Sequence, residues 1–313
     1  MSALKPPSAG WSVEHGVMLK RGGHFWRSVW LSGPAIAWMT IFLICPLLII
    51  LGLSFLTGGP RGEIQDRFTI ANIGHLFGMS PTGFDPEGIE LIIRSIMIGA
   101  LTSFACLLAA LPIAFCLTAL PKHLKTLAIL VLVVPLWSNI LIRAYGWELL
   151  LHPDSWFLKP WQAIGLLDVG EPIFPGWRAL MIGMVSHFLP FMVIPLYVSV
   201  ERIDWEQAEV ARDLGANPVN AFHSAILPQL QPGLVAGMIF VFLPATGQFV
   251  IPDLLGGGKT YLLGNAIEGE FGSSYNWPMG AAYCVAALTL TVAGLLIHTL
   301  LTRNRQEREP IVL

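Results

Sequence analysis

Of the 313 residues, 54% are hydrophobic and 12% charged, with a net charge of −2 and a mean hydropathy of +0.66. Soluble domains carry about 25% charged residues. Half that amount argues against a water-soluble enzyme, and the near-zero balance gives no reason to expect a nucleic-acid partner.

Six apolar runs are long enough to cross a bilayer core of about 30 Å, which takes about 20 residues. In chain order they lie near Leu31–Thr57, Leu91–Leu120, Leu127–Trp147, Arg178–Val200, Gly233–Leu255 and Gly280–Leu301. The first is too long and begins too late for a cleaved signal peptide, so it is expected to remain as a helix. Internal prolines (Pro46, Pro112, Pro135, Pro190, Pro195, Pro244) predict kinks, which spanning helices tolerate when neighbours satisfy the freed backbone groups. With the N-terminus inside, eleven of the eighteen Lys and Arg fall on the cytosolic side, among them Lys20, Lys122, Lys125, Arg202 and Arg303. That bias favours both termini inside, as an even helix count requires. The four cysteines (Cys45, Cys106, Cys116, Cys284) lie inside apolar spans, without CxxC or His/Cys clustering, and read as packing residues rather than disulfides or metal ligands.

The polar island Glu201 to Leu230, between the fourth and fifth spans, holds most of the functional signal. Asp204 with Gln207 three residues on predicts a capping-box start, and Gly215 a C′ stop. Asn217 is expected to cap a second helix with Pro218 at its first position, ending near Pro228. Trp205, Ala208 and Ala211 recur at helical spacing on the first helix, and Val219, Phe222 and Ile226 on the second. Gly256-Gly257-Gly258-Lys259-Thr260 imitates the end of a phosphate-binding loop. Asp253 stands where that loop needs its first glycine, so the run is read as an outer loop.

The island resembles the cytoplasmic EAA loop of type I ABC importer membrane subunits, whose pattern is E-A-A, three residues, G, nine residues, I-x-L-P. Here Glu209-Val210-Ala211, Gly215 and Ala225-Ile226-Leu227-Pro228 keep that spacing, with Val210 and Ala225 departing from it. Three further stretches look like the spermidine/putrescine permease subunits. They are Pro135 to Trp147, Leu189 to Asp204, and Phe242 to Gly257; Gln248 stands where that family often has Glu. The resemblance runs from about Gly33 to Leu301.

The resemblance implies an all-α integral membrane protein with six transmembrane helices, the transmembrane domain of a type I ABC importer. It implies a permease domain over 31–303, with helix 31–57 peripheral, core 91–301 and coupling loop 201–230, between cytosolic tails 1–30 and 304–313. Glu209, Ala211, Asp213, Gly215, Ala216, Pro218, Phe222, Leu227 and Pro228 are the expected ATPase-coupling residues. The implied partners are a second homologous permease, an ABC ATPase dimer, an extracytoplasmic polyamine-binding protein and the lipid bilayer of the bacterial inner membrane. ATP and Mg are expected on the ATPase subunits, with no cofactor, metal or catalytic residue on this chain. Relatives of this type also move iron, sulfate and amino-acid-like compounds. A secondary transporter is the rival class, but no inverted repeat is visible.

Polar groups at membrane depth are candidate pathway residues. His187, mid-span, reads equally as a pathway residue or as a core histidine bonded to a carbonyl, and Gln248 and Asn139 also read as polar glue between helices. Asp253 and Glu148, near outer ends, form either an acidic entrance for a diamine or solvated carboxylates. Trp137 and Tyr145 offer ring faces worth about 0.5–2 kcal/mol to an ammonium, although interfacial belts are commoner, the reading taken for Trp147 and Trp177. Arg143 opposes a cation and is read as snorkelling outward or stacking on Trp147.

Overall fold

The structure, a computed structural model, describes residues 21–59, 62–80, 83–164, 173–258 and 260–306. The chain opens with α1 (Arg21–Ser54), whose apolar side chains from Ile36 to Ile49 are exposed, as suits a lipid-facing helix. It ends three residues short of the expected Thr57, because Leu56–Gly58 (β1) turns into an antiparallel hairpin with Ile64–Phe68 (β2). Asn72 of α2 (Ala71–Leu76) secures that exit by donating to the carbonyls of Ser54 and Leu56, at 3.0 and 2.8 Å. A second short hairpin, β3 (Met79–Ser80) and β4 (Gly83–Phe84), leads into α3 (Glu87–Ala119). Glu87 and Glu90 complement the dipole in the first turn of α3.

The core is built from α3, α7 (Trp177–Glu201) and α10 (Leu227–Thr246). Leu91, Ser95, Ile98, Thr102, Cys106, Ala110, Ala114 and Leu117 form one buried stripe down α3. Cys106 Sγ reaches the carbonyl of Val185 at 3.7 Å. Where α10 crosses α7, Gly233 lies against Pro195 and Ser199, and Gly237 against Met192, so the two helices run antiparallel. A Cβ at Gly233 would sit 2.6 Å from the Pro195 carbonyl oxygen, a backbone atom that cannot swing aside, so glycine permits this close approach.

The third expected span is not one helix. Lys122–Val133 (α4) tightens into a 3₁₀ turn at Val134–Trp137, breaks at Ser138–Asn139 and restarts as α5 (Ile140–Leu151), bent by 100°. Pro135 cannot donate to the ladder. Ser138 closes the first piece through its hydroxyl and N–H on the Pro135 carbonyl, at 2.6 and 3.2 Å, while Asn139 Oδ1 accepts Leu141 N–H at 2.8 Å and starts the second.

After the short α6 (Lys159–Ala163) and α7, the polar island forms α8 (Trp205–Asp213) and α9 (Pro218–Ala221) before α10. The fifth expected span also stops early: α10 ends at Thr246, and Val250–Gly256 forms a separate α11. Gln248 Oε1 accepts the N–H groups of Phe249 and Val250, at 3.0 and 3.2 Å, which starts α11 locally. Then α12 (Leu263–Gly272) is tied to α3 through Leu263 N–H on Ser95 Oγ at 2.8 Å, and α13 (Trp277–Gln306) closes the chain. Leu76, Leu91, Leu263, Ala266, Met279, Ala282 and Tyr283 make a smaller core at that end. Among the described residues five helices are long and apolar enough to cross a membrane, or six spans with the bent pair as one. The architecture is that of a predominantly helical, multi-pass integral membrane protein, with the two short hairpins lying outside the candidate spans.

Candidate functional site: the capped helix pair and the break of the third span

The starts of α8 and α9 and the stop of α8 each have a hydrogen-bond partner. Asp204 Oδ1 accepts Glu206 N–H at 3.1 Å to start α8. The expected capping box is only half made, because Gln207 Nε2 donates to the Asp204 carboxylate at 3.2 Å instead of its side chain accepting Asp204 N–H. A charge-assisted hydrogen bond is the stronger option. Asp204 N–H goes to Gln229 Oε1 at 2.8 Å, a residue that sequence reasoning passed over. Its one signal was a polar side chain between Pro228 and the buried Leu230.

At the other end of α8, Gly215 N–H bonds the Arg212 carbonyl at 2.9 Å and Ala216 N–H the Ala211 carbonyl at 3.0 Å. With Gly215 at φ +89°, this is the Schellman stop expected there. Asn217 Oδ1 accepts Asn220 N–H at 2.7 Å, with Pro218 at the first helical position.

The expected end near Pro228 is not found. Phe222–Ile226 widens into a π turn, Leu227 N–H bonds the Phe222 carbonyl, and the helix continues into α10. The proline ring would clash with the carbonyl four residues back, at Ser224, and the wider turn relieves that clash.

Ala208, Ala225 and Ile226 are buried in the core, with Ala211 and Phe222 half-buried beside them. Trp205, half exposed, tilts against Phe115 of α3 with centroids 6.5 Å apart. Glu209, Asp213, Gly215, Pro218 and Pro228 are exposed, and Ala216 and Leu227 half-buried. Around the carboxylates, Val210, Leu214 (84% exposed) and Val219 also face outward. This surface mixes apolar groups and negative charge on a rigid frame. At its root Lys125 Nζ meets Glu201 Oε1 at 3.0 Å and lies 5.8 Å from the Tyr197 ring centroid, tying α4 to α7.

The pathway candidates separate. His187 and Ser186 of α7 share a small cavity with Arg143, Ala144 and Trp147 of α5 and with Ile251 and Leu255 of α11. His187 Nδ1 and Arg143 Nε are both buried without a hydrogen-bond partner. Two expectations are thereby corrected: Arg143 is turned into this cavity rather than snorkelling outward, and Trp147 lines it rather than serving only an interfacial belt. Nor does the His187 Nδ1 bond a carbonyl; its ring packs edge-on against Phe188 at 4.7 Å. Asn139 and Gln248 cap helices, Trp137 and Tyr145 are exposed, Glu148 is half-buried, and Asp253 is exposed on α11. These residues do not converge with His187. The Gly256-Gly257-Gly258 run closes a helix instead of opening one, with φ +61° and +73° at its last two members; Lys259 lies outside the described residues. At the same end of the bundle, burial and the neighbouring Glu87 hold the Glu270 carboxyl above its ordinary range.

The family described as "Binding-protein-dependent transport system inner membrane component" matches residues 16–306. The chain is 36% identical over 263 residues to the spermidine/putrescine transport system permease protein PotB of Salmonella typhimurium (strain SL1344), covering 84% of this chain and 88% of that one. It is 36% identical over 269 residues to the PotB of Haemophilus influenzae, covering 86% and 91%. Among solved structures, a bacterial ABC transporter involved in the import of the acidic polysaccharide alginate superposes with a TM-score of 0.68. That match covers 90% of this chain and 99% of the other at 17% identity, a likeness of fold.

Proposed function

This chain belongs to the family of binding-protein-dependent transport system inner membrane components, and we propose that it forms half of the pathway of an ATP-driven polyamine importer. One observation carries the reading: α9, the second arm of the exposed pair α8–α9, continues without a break into the core helix α10. A stiff projection joined to a core helix can turn motion outside the bilayer into motion within it.

In this reading the pair faces the cytosol, as do both termini, in line with the distribution of Lys and Arg. Glu209 and Asp213 offer charge to basic groups of an ATPase subunit, while Gly215, Pro218 and the small side chains of Ala211 and Ala216 let its backbone approach. Phe222 holds the second arm to the bundle, and Leu227 and Pro228 carry it into α10. ATP and Mg are bound by two ATPase copies, and hydrolysis is theirs, this chain having no catalytic role. A homologous second permease completes the pathway, and an extracytoplasmic binding protein delivers the solute.

Putrescine or spermidine as solute is supported by the 36% identity, over most of the chain, to proteins named for their transport. One observation favours a second reading, an amino-acid-like solute carried by the same machine: the unpartnered Arg143 Nε suits a group that accepts hydrogen bonds better than a bare diamine. The assembled complex in lipid vesicles, with its binding protein, discriminates. ATP hydrolysis stimulated by putrescine or spermidine, but not by γ-aminobutyrate, iron or sulfate, is the expected result. Stimulation by one of the latter alone overturns the polyamine assignment.

A further inference from the structure

We propose that Gln229 is the cross-brace that fixes the angle between the two arms of this projection, and is therefore a positioning residue for coupling. The inference rests on reading residues 201–230 as the ATPase-coupling element.

Gln229 sits in the first turn of α10, half-buried. Its Oε1 accepts Asp204 N–H at 2.8 Å. Its Nε2 donates to the Ala225 carbonyl at 2.8 Å, and the Asp204 carbonyl and Gln207 Oε1 stand at 3.3 and 3.4 Å. An amide nitrogen has two hydrogens. One goes to Ala225, and the other is shared between Asp204 and Gln207. A single side chain thus holds both backbone polar groups of Asp204 from 25 residues away in sequence.

The connections of α8 explain why this matters. At its start only Arg202, Ile203 and Asp204 separate it from α7, and at its end Leu214 to Asn217 lead to α9. Ala208 is its one fully buried residue. Ile203, buried in the first of those loops, and Trp205, packed on Phe115, restrain α8 only by apolar contact, which leaves it able to rock about its buried alanine. Gln229 removes that freedom by bonding the start of α8 on one side and the π turn on the other. The chemistry is specific to a neutral amide of this length. A carboxylate loses both donors and meets the Asp204 carboxylate, and a hydrocarbon loses everything. Load applied at Glu209 and Asp213 then reaches α10 directly as well as through α7.

The test uses the complete complex in vesicles, with Gln229→Leu and Gln229→Glu, reading putrescine uptake per ATP hydrolysed and amide exchange over 204–214. Binding-protein-stimulated hydrolysis reports the same coupling without reference to the solute. Both variants are expected to assemble and hydrolyse ATP. Uptake per ATP falls about tenfold in Gln229→Leu, the size expected from losing one or two net hydrogen bonds, and less in Gln229→Glu, which keeps an acceptor for Asp204. Exchange quickens over 204–214 and is unchanged over 230–246. Unchanged exchange, faster exchange with undiminished coupling, or failure of both variants to assemble each overturns the brace. Gly215→Trp in the same assay separates the two levels. If it transports normally, the coupling-element reading itself fails. If it is uncoupled while Gln229→Leu is not, only the brace fails.

Discussion

The capped pair Asp204–Leu230 and the broken span Lys122–Leu151 are both interruptions of a helical membrane protein, and both begin a helix with an asparagine cap. They differ in what surrounds the cap. Around α8 and α9 each exposed backbone end finds a side chain or a Schellman partner, and the buried contacts are made by alanines and one isoleucine. Beside α5, two nitrogens of ionisable side chains, Arg143 Nε and His187 Nδ1, are buried with nothing to bond. An unmade hydrogen bond costs about 1–3 kcal/mol, and among the described residues no buried side-chain nitrogen or oxygen of the first region is left in that state. Satisfied polar groups suit a part that must transmit force without yielding. Unsatisfied ones suit a part whose neighbours change during transport.

The largest expected effect tests the stiff region. Gly215→Trp puts a side chain at φ +89°, which costs about 1–2 kcal/mol in backbone strain, and fills an approach surface that is open now. Uptake should be lost while membrane insertion and complex assembly survive, read by transport and by gel filtration of the complex. Normal transport would remove the distinction between the two regions.

The next largest tests the other side. Arg143→Met removes the unpartnered nitrogen from its cavity and should raise the thermal unfolding midpoint of the solubilised complex, by about 1 kcal/mol or more in stability. A lower midpoint would mean that Arg143 has a partner in the assembly and is not a strained group.

The two caps give a matched pair. Asn217→Ala and Asn139→Ala should each cost about 1 kcal/mol, seen as faster local amide exchange, but only Asn217→Ala should lower uptake per ATP. Equal effects on coupling would show that the break in span three transmits force as well. Smallest of all is Lys125→Met, which cuts the ionic tie between the broken span and the end of α7 from which the pair projects. As a solvent-screened pair it should matter little, and only at low salt. A large loss of coupling there would mean that the regions move as one.

What was legible in the sequence follows the range of the forces involved. Apolar runs and the spacing from Glu209 to Pro228 are local signals, and they gave the spans, the bend at Gly215 and the cap at Asn217. Breaks were harder, because Pro135 and Pro228 look alike as residues yet have opposite outcomes. After Pro135, Ser138 and Asn139 supply a stop and a new start, so the helix ends. Around Pro228 no such pair exists, and a π turn absorbs the ring. Partners distant in sequence were invisible: Gln229 meets Asp204 only once α10 packs on α7, and Arg143 meets His187 only once α5 packs on α7.

The continuity of α9, the π turn and α10 has a mechanical consequence. Pro218–Thr246 is one rod of 29 residues, about 43 Å long at 1.5 Å per residue. A swing of about 5° at one tip displaces the other by about 4 Å over that length, roughly the width of a methylene chain. The π turn and the prolines Pro228, Pro232 and Pro244 are the points where such a shaft would flex, so shortening it by a turn would change the throw at its far tip.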